Sequence, residues 1–304
     1  MAFQPNLLAK QHFDTLVSNG QVDFGLRSKE YATLRPGLPD RFFSNLTKLL
    51  QESVPGFEWS GKRVLDVGTG PGTVGLVLAN MGAHVTGVDV SEGQIREANE
   101  QSRSLGLFPT SDSGPSKRKR SDELKTALKG SAQFFVATAE KTGQASETFD
   151  VALAAQCWHW FRPAEAMKEM HRILKPKAGV LVVVNYCYLP KHAPLAKDSE
   201  DLVLKHNPTW KFAGVDGLFP AHIDMLTHDG GFSLVEQFSF DYHQPFTHDM
   251  WRGRMRTCNG VGSGSLSADS VEKFDSDLAV LLKAKYPVDS DGLTRVLHRV
   301  WCTV

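Results

Sequence analysis

The sequence predicts an α/β fold, a doubly wound sheet of seven strands that is mostly parallel and closes with an antiparallel last strand. Three observations carry this. Apolar, β-rich runs alternate with helical stretches from Arg63 onward. Runs such as Val180-Leu181-Val182-Val183-Val184 are apolar throughout, as suits a parallel strand covered by helices on both faces. A strand ending in Asp66-Val67 passes directly into Gly68-Thr69-Gly70-Pro71-Gly72 and then a helix, a sequence that lets backbone approach a ligand closely.

Residues 1–60 read as N-terminal helices with loops, ending in Pro55-Gly56-Phe57. Arg63–Val67 reads as a strand, Thr73–Met81 as a helix and His84–Asp89 as a strand. Ser91–Leu105 reads as a helix with Ser91 as its N-cap and Glu92 in its first turn. Strands follow at Gln133–Ala137, Phe149–Ala155 and Gly179–Tyr186, with a helix at Ala164–Leu174. The stretch 106–131 breaks the pattern with Ser, Pro and Gly and then Lys117-Arg118-Lys119-Arg120, and reads as a solvated insertion. Beyond it, Val215–Gly230 looks helical, Phe232–Tyr242 strand-like, Asp269–Lys285 helical and Arg295–Val304 a final strand. The expected organisation is one domain over 1–304. Its parts are a helical cover (1–60), a ligand-binding core (61–190) and substrate-side elements with the closing strands and a helical cap (191–304).

Composition narrows the function. Hydrophobic residues make up 41% and charged residues 22%, the balance of a soluble globular protein, and no apolar run approaches the ~20 residues that cross a bilayer. The opening Met1-Ala2-Phe3-Gln4-Pro5 lacks the charged-then-apolar pattern of a secretory signal, so the default expectation is the cytoplasm and no membrane partner. Lys plus Arg (34) equals Asp plus Glu (34), so the chain lacks the positive excess typical of nucleic-acid binding. Cys157, Cys187, Cys258 and Cys302 form no C-x-x-C pair, which argues for free thiols rather than a zinc site or a disulfide framework. Nothing in the sequence sets the oligomeric state.

The glycine spacing discriminates among ligands. A dinucleotide fingerprint places its third glycine at position 73, which is Thr73 here, and Pro71 removes a donor where a pyrophosphate wants one. The loop therefore suits a ligand without phosphates. Asp89, at the end of the next strand, stands where an acidic side chain accepts hydrogen bonds from ribose hydroxyls.

With these residues in view, the sequence resembles the class I S-adenosyl-L-methionine (SAM)-dependent methyltransferases, whose core is Rossmann-like. Val64-Leu65-Asp66-Val67-Gly68-Thr69-Gly70-Pro71-Gly72 is similar to their first motif and Val85-Thr86-Gly87-Val88-Asp89-Val90-Ser91 to the second. Thr138-Ala139-Glu140 is similar to the segment that contacts adenine. Phe149-Asp150-Val151 through Gln156-Cys157-Trp158-His159-Trp160-Phe161, then Arg172-Ile173-Leu174-Lys175-Pro176, resembles the fourth and fifth motifs. Lys177-Ala178-Gly179 departs from the Gly-Gly usual after that proline. The resemblance implies SAM as cofactor and S-adenosyl-L-homocysteine (SAH) as product, held by Asp66, Gly68, Thr69, Gly70, Gly72, Asp89, Val90, Ala139, Glu140 and Gln156. Tyr31-Ala32-Thr33-Leu34-Arg35-Pro36 and Ala155–Phe161 resemble the branch related to trans-aconitate methyltransferases. That likeness makes Tyr31 and Arg35 candidates to cover the cofactor, or else part of a helix packed on the sheet.

For the acceptor, Trp158 and Trp160 either flank the sulfonium or a flat substrate, or pack on the neighbouring helix. His159 is the candidate base, although a carboxylate nucleophile needs none. Asp150 lies at the wrong end of its strand for a metal site and Glu165 falls inside the following helix, so the expected chemistry is metal-independent. In Trp251-Arg252-Gly253-Arg254-Met255-Arg256-Thr257, Arg252 and Arg256 share a helical face and either clamp a carboxylate, with Trp251 as a wall, or form a solvated basic face. The expected reaction is methyl transfer to a small molecule, foremost to oxygen of a carboxylic acid; nitrogen or carbon acceptors and a catalytically inactive SAM-binding protein are the alternatives.

Overall fold

A computed structural model describes residues 36–109, 130–262 and 265–304. Tyr31, Arg35, most of the N-terminal cover and the basic stretch Lys117–Arg120 lie outside the described residues. The described elements are α1 (Asp40–Ser53), β1 (Arg63–Val67), α2 (Thr73–Asn80), β2 (His84–Asp89), α3 (Glu92–Ser104), β3 (Ser131–Val136), β4 (Val151–Ala155), α4 (Pro163–Ile173) and β5 (Val180–Tyr188), followed by α5 (Pro194–His206), α6 (Ala221–Asp224), β6 (Gln237–Phe246), α7 (His248–Arg256), α8 (Ala268–Lys285) and β7 (Thr294–Thr303).

The strands form one seven-stranded sheet in the order β3-β2-β1-β4-β5-β7-β6. The pairs β1–β2, β1–β4, β2–β3 and β4–β5 are parallel, and the last strand is antiparallel, as the sequence predicts. The order reverses at β1, whose partners β2 and β4 lie on either side. A crevice beyond the carboxyl ends of the strands at such a reversal is where open α/β sheets bind ligands.

The chain divides into two compact units. A sheet unit comprises Gly37–Val184, Pro220–Phe238 and Cys302–Val304. Its core packs Leu65, Val67, Val88, Ala152 and Ala154 of the central strands, with Phe149 just before β4, against Met167, Met170 and Ile173 of α4. Burial is nearly complete along β1 and β4, so the loops at their carboxyl ends start from fixed points. The other unit is built on Asn185–Phe219 and Ser239–Trp301. Its separate core holds Tyr188, Phe246, Trp251, Met255, Phe274, Leu278 and Leu282.

Local chemistry sets the element ends. Ser91 caps α3 by accepting from the Gln94 N–H, Pro163 opens α4, and Thr247 and Ser267 cap α7 and α8. Two expectations fail in the C-terminal third. Helix over Val215–Gly230 is confined to its second half, because Gly217 sits at φ +70 and Pro220 precedes the first helical residue. The strand expected from Phe232 starts only at Gln237, because Phe232 instead stacks on His171 at 4.0 Å.

Candidate active site

β1 delivers Asp66 and Val67 to the glycine loop. Asp66 is 1% exposed, and its Oδ2 accepts from Thr69 Oγ1 at 2.6 Å and from the Gly75 N–H at 3.0 Å. The carboxylate thus ties the loop to the first turn of α2 from beneath. Burial pushes its pKa up to about 7, against the opposing pull of those two hydrogen bonds. Thr69 donates its hydroxyl to Asp66 and its backbone N–H to Val88, so it is a loop-forming residue rather than an open ligand donor.

The three loop glycines have different reasons to be glycine. All have left-handed φ, at +64, +55 and +82 for Gly68, Gly70 and Gly72. A Cβ on Gly68 would lie 2.8 Å from both Cβ and Sγ of Cys157, and one on Gly72 would lie 2.8 Å from the Phe134 ring. A Cβ on Gly70 would meet nothing within 4 Å. Packing fixes the outer two, and Gly70 presents the open face of the loop.

Asp89 closes β2 beside that face. Its Oδ2 accepts from Gly70 N–H and its Oδ1 from Ser91 N–H, each at 2.9 Å. Burial raises its pKa, and the backbone donors oppose the rise. Each carboxylate oxygen keeps further lone-pair capacity. The next residue, Val90, is 63% exposed, an apolar side chain left in water directly after the acid. An open glycine, an acid with spare acceptor capacity and an exposed apolar neighbour thus stand together at the end of β2.

The turn after β4 supplies the next wall. Gln156 adopts φ +62, a strained conformation for a residue with a Cβ, and its N–H bonds to the Val184 carbonyl at 2.8 Å. Cys157 Sγ donates to the Val67 carbonyl at 3.0 Å, joining this turn to the glycine loop. Trp158 is 2% exposed, packs edge-on to Phe161 and belongs to the sheet-unit core, so the expectation that it flanks substrate gives way to the packing role. Trp160 also packs against that core while remaining partly exposed. His159 is exposed, its ring 4.4 Å from that of Trp160.

The segment after β3 is pinned from α4. Ala139 is buried, and Glu140 accepts from the Arg162 backbone N–H at 2.8 Å, so its carboxylate serves the start of α4. Glu169, which the sequence did not single out, accepts from Thr142 N–H at 2.9 Å and Thr142 Oγ1 at 2.6 Å and pairs with the Arg172 guanidinium. Despite the opposing effect of burial, these donors hold its pKa down at about 2.

The proposed acceptor residues of the C-terminal unit have other partners. Trp251 is fully buried and donates its indole N–H to Ser199 Oγ at 2.9 Å. Arg252 pairs with both Asp275 and Asp249, and Arg256 reaches Asp275 Oδ1 at 2.7 Å. The shared face of Arg252 and Arg256 is real, but its carboxylate is the protein's own, and Trp251 is core rather than wall. Among the described residues no group of three or more His, Cys, Asp or Glu side chains is arranged to hold a metal ion, and no helix is long and apolar enough to cross a membrane.

Residues 65–183 match the family described as a methyltransferase domain. The matched stretch contains the glycine loop, Asp89 and the turn after β4, so this part of the chain is similar to methyltransferase domains. An uncharacterized methyltransferase-like protein of Schizosaccharomyces pombe is 32% identical over 120 residues, 33% of this chain and 44% of that protein. A ubiquinone biosynthesis O-methyltransferase of Ruegeria pomeroyi is 27% identical over 191 residues, 61% of this chain and 65% of that enzyme. The chain thus spans between 44% and 65% of the length of these two curated relatives. A solved structure from Anaeromyxobacter dehalogenans, provisionally described as a type II methyltransferase, superposes with a TM-score of 0.53 at 24% identity, covering 88% of this chain and 95% of that one. That likeness speaks to the fold alone.

Proposed function

We propose that this protein transfers a methyl group from SAM to an oxygen of a small-molecule acceptor. The observation that carries the reading is the pairing of Gly70, open on one face, with the Asp89 carboxylate that grips its N–H. SAM supplies an electrophilic methyl on a sulfonium, and the protein's share of an in-line displacement is alignment and exclusion of water. Asp89 would hold the ribose hydroxyls and Val90 would cover the adenine face, with Ala139 at the adenine edge and Gln156 at the turn facing the loop. Tyr31 and Arg35 complete the proposal as cover from the N-terminal segment.

Oxygen is favoured by the similarity to ubiquinone biosynthesis O-methyltransferases. Within that class a hydroxyl now stands ahead of the carboxylic acid that the sequence suggested, because Arg252 and Arg256 already share Asp275. A hydroxyl needs its proton removed, and the exposed His159 is the residue proposed to take it. The experiment is transfer of labelled methyl from SAM to a panel of phenols, aliphatic hydroxy compounds, carboxylic acids and amines. Label in a methyl ether, reduced at least ~100-fold by His159→Ala, supports the reading. Label found only in esters or only in methylamines would sink the hydroxyl assignment.

A further inference from the structure

We propose that Cys157 is a positioning residue for the cofactor loop, its side chain fixing where Gly68 lies and thereby the affinity for SAM and SAH. The inference rests on the methyltransferase reading above. Cys157 and Gly68 come from loops far apart in sequence, yet a Cβ on Gly68 would stand 2.8 Å from both Cβ and Sγ of Cys157 and 3.1 Å from the Phe161 ring. The two backbones therefore meet with no spare volume on this side, whereas Gly70 faces open space. Any outward push on Gly68 is passed along the loop to Gly70 and to its hydrogen bond with Asp89.

The thiol also makes a directed contact. Its Sγ donates to the carbonyl of Val67, the residue immediately before Gly68, at 3.0 Å. The side chain is 7% exposed, and burial, reinforced by the nearby Asp66 and Asp89 charges, keeps it a protonated donor. The strand it follows does not yield, since Gln156 is anchored to Val184 and held at φ +62. Cys157 is thus a fixed wedge of one size, with one donor, against a loop whose other face would carry ligand.

The test measures SAH affinity by titration calorimetry, and the melting temperature, for the wild type, Cys157→Ser, Cys157→Ala and Cys157→Val. Ser keeps size and donor and is expected to stay within about threefold of wild-type affinity. Ala removes the donor and opens a gap, and about a tenfold loss is expected, the equivalent of one hydrogen bond. Val adds a branch toward Gly68 and is expected to lose more than Ala. A lower melting temperature for Ala with affinity within twofold of wild type would show a merely structural thiol and overturn the proposal. Should Val fail to fold, the Ala and Ser pair still decides it. Wild-type protein that binds no SAH would instead overturn the methyltransferase reading on which the proposal stands.

Discussion

Asp66 shows how much of the loop depends on one buried carboxylate. Its folded pKa, about 7, lies above the ordinary 3.8, so between those values the folded state holds a proton that the unfolded chain has released. Its contribution is therefore fully present below about pH 4 and is lost as pH rises through 7. Asp66→Asn mimics the protonated form and still accepts from Thr69 and Gly75. Melting curves of this variant should fall less steeply from pH 5 to pH 8 than those of the wild type, and identical slopes would show that Asp66 titrates normally. The glycines separate in the same way. Gly68→Ala meets Cys157 at 2.8 Å in a left-handed conformation and should lose roughly 2 kcal/mol or more, read from chemical denaturation. Gly70→Ala carries only the cost of its positive φ, about 1–2 kcal/mol. It should nevertheless bind SAH much more weakly, because its methyl would occupy the open face.

At the scale of elements, α4 acts through Glu169, which binds the segment after β3 by two bonds to Thr142 while pairing with Arg172. Removing it strands buried donors, and Glu169→Ala should lose about 2–3 kcal/mol by chemical denaturation. The helices α7 and α8 are stapled by Asp275 between Arg252 and Arg256. Arg252→Ala should therefore lower the melting temperature and leave the acceptor KM unchanged. A raised KM at unchanged stability would restore the anion clamp.

These cases mark what the sequence could show. The strands β1, β2 and β5, the cap at Ser91 and the glycine loop were legible because period, turn chemistry and spacing are local properties. Asp89 was legible for the same reason, as an acid at a strand end. Helix α5 was not assigned, although Pro194 at its start and the apolar stripe of Leu195, Ala196 and Val203 were signals for it. The pairing of Arg252 and Arg256 with Asp275, the burial of Trp158 and Trp251, and the contact of Cys157 with Gly68 depend on residues distant in sequence. No pattern along the chain reports such a contact.

Across the whole molecule there are two units with separate cores, and the glycine loop, Asp89 and the turn at Gln156–Cys157 all belong to the sheet unit. Hydrogen exchange in the presence of SAH should accordingly slow most between Gly68 and Ser91, where loop and strand-end amides converge. The most direct test of the central claim is calorimetric titration of SAH into the wild type and into Asp89→Ala. Saturable one-site binding by the wild type, weakened at least about tenfold in a variant that remains folded, is the predicted result. Equal affinity in the two proteins, or none in the wild type, would contradict it.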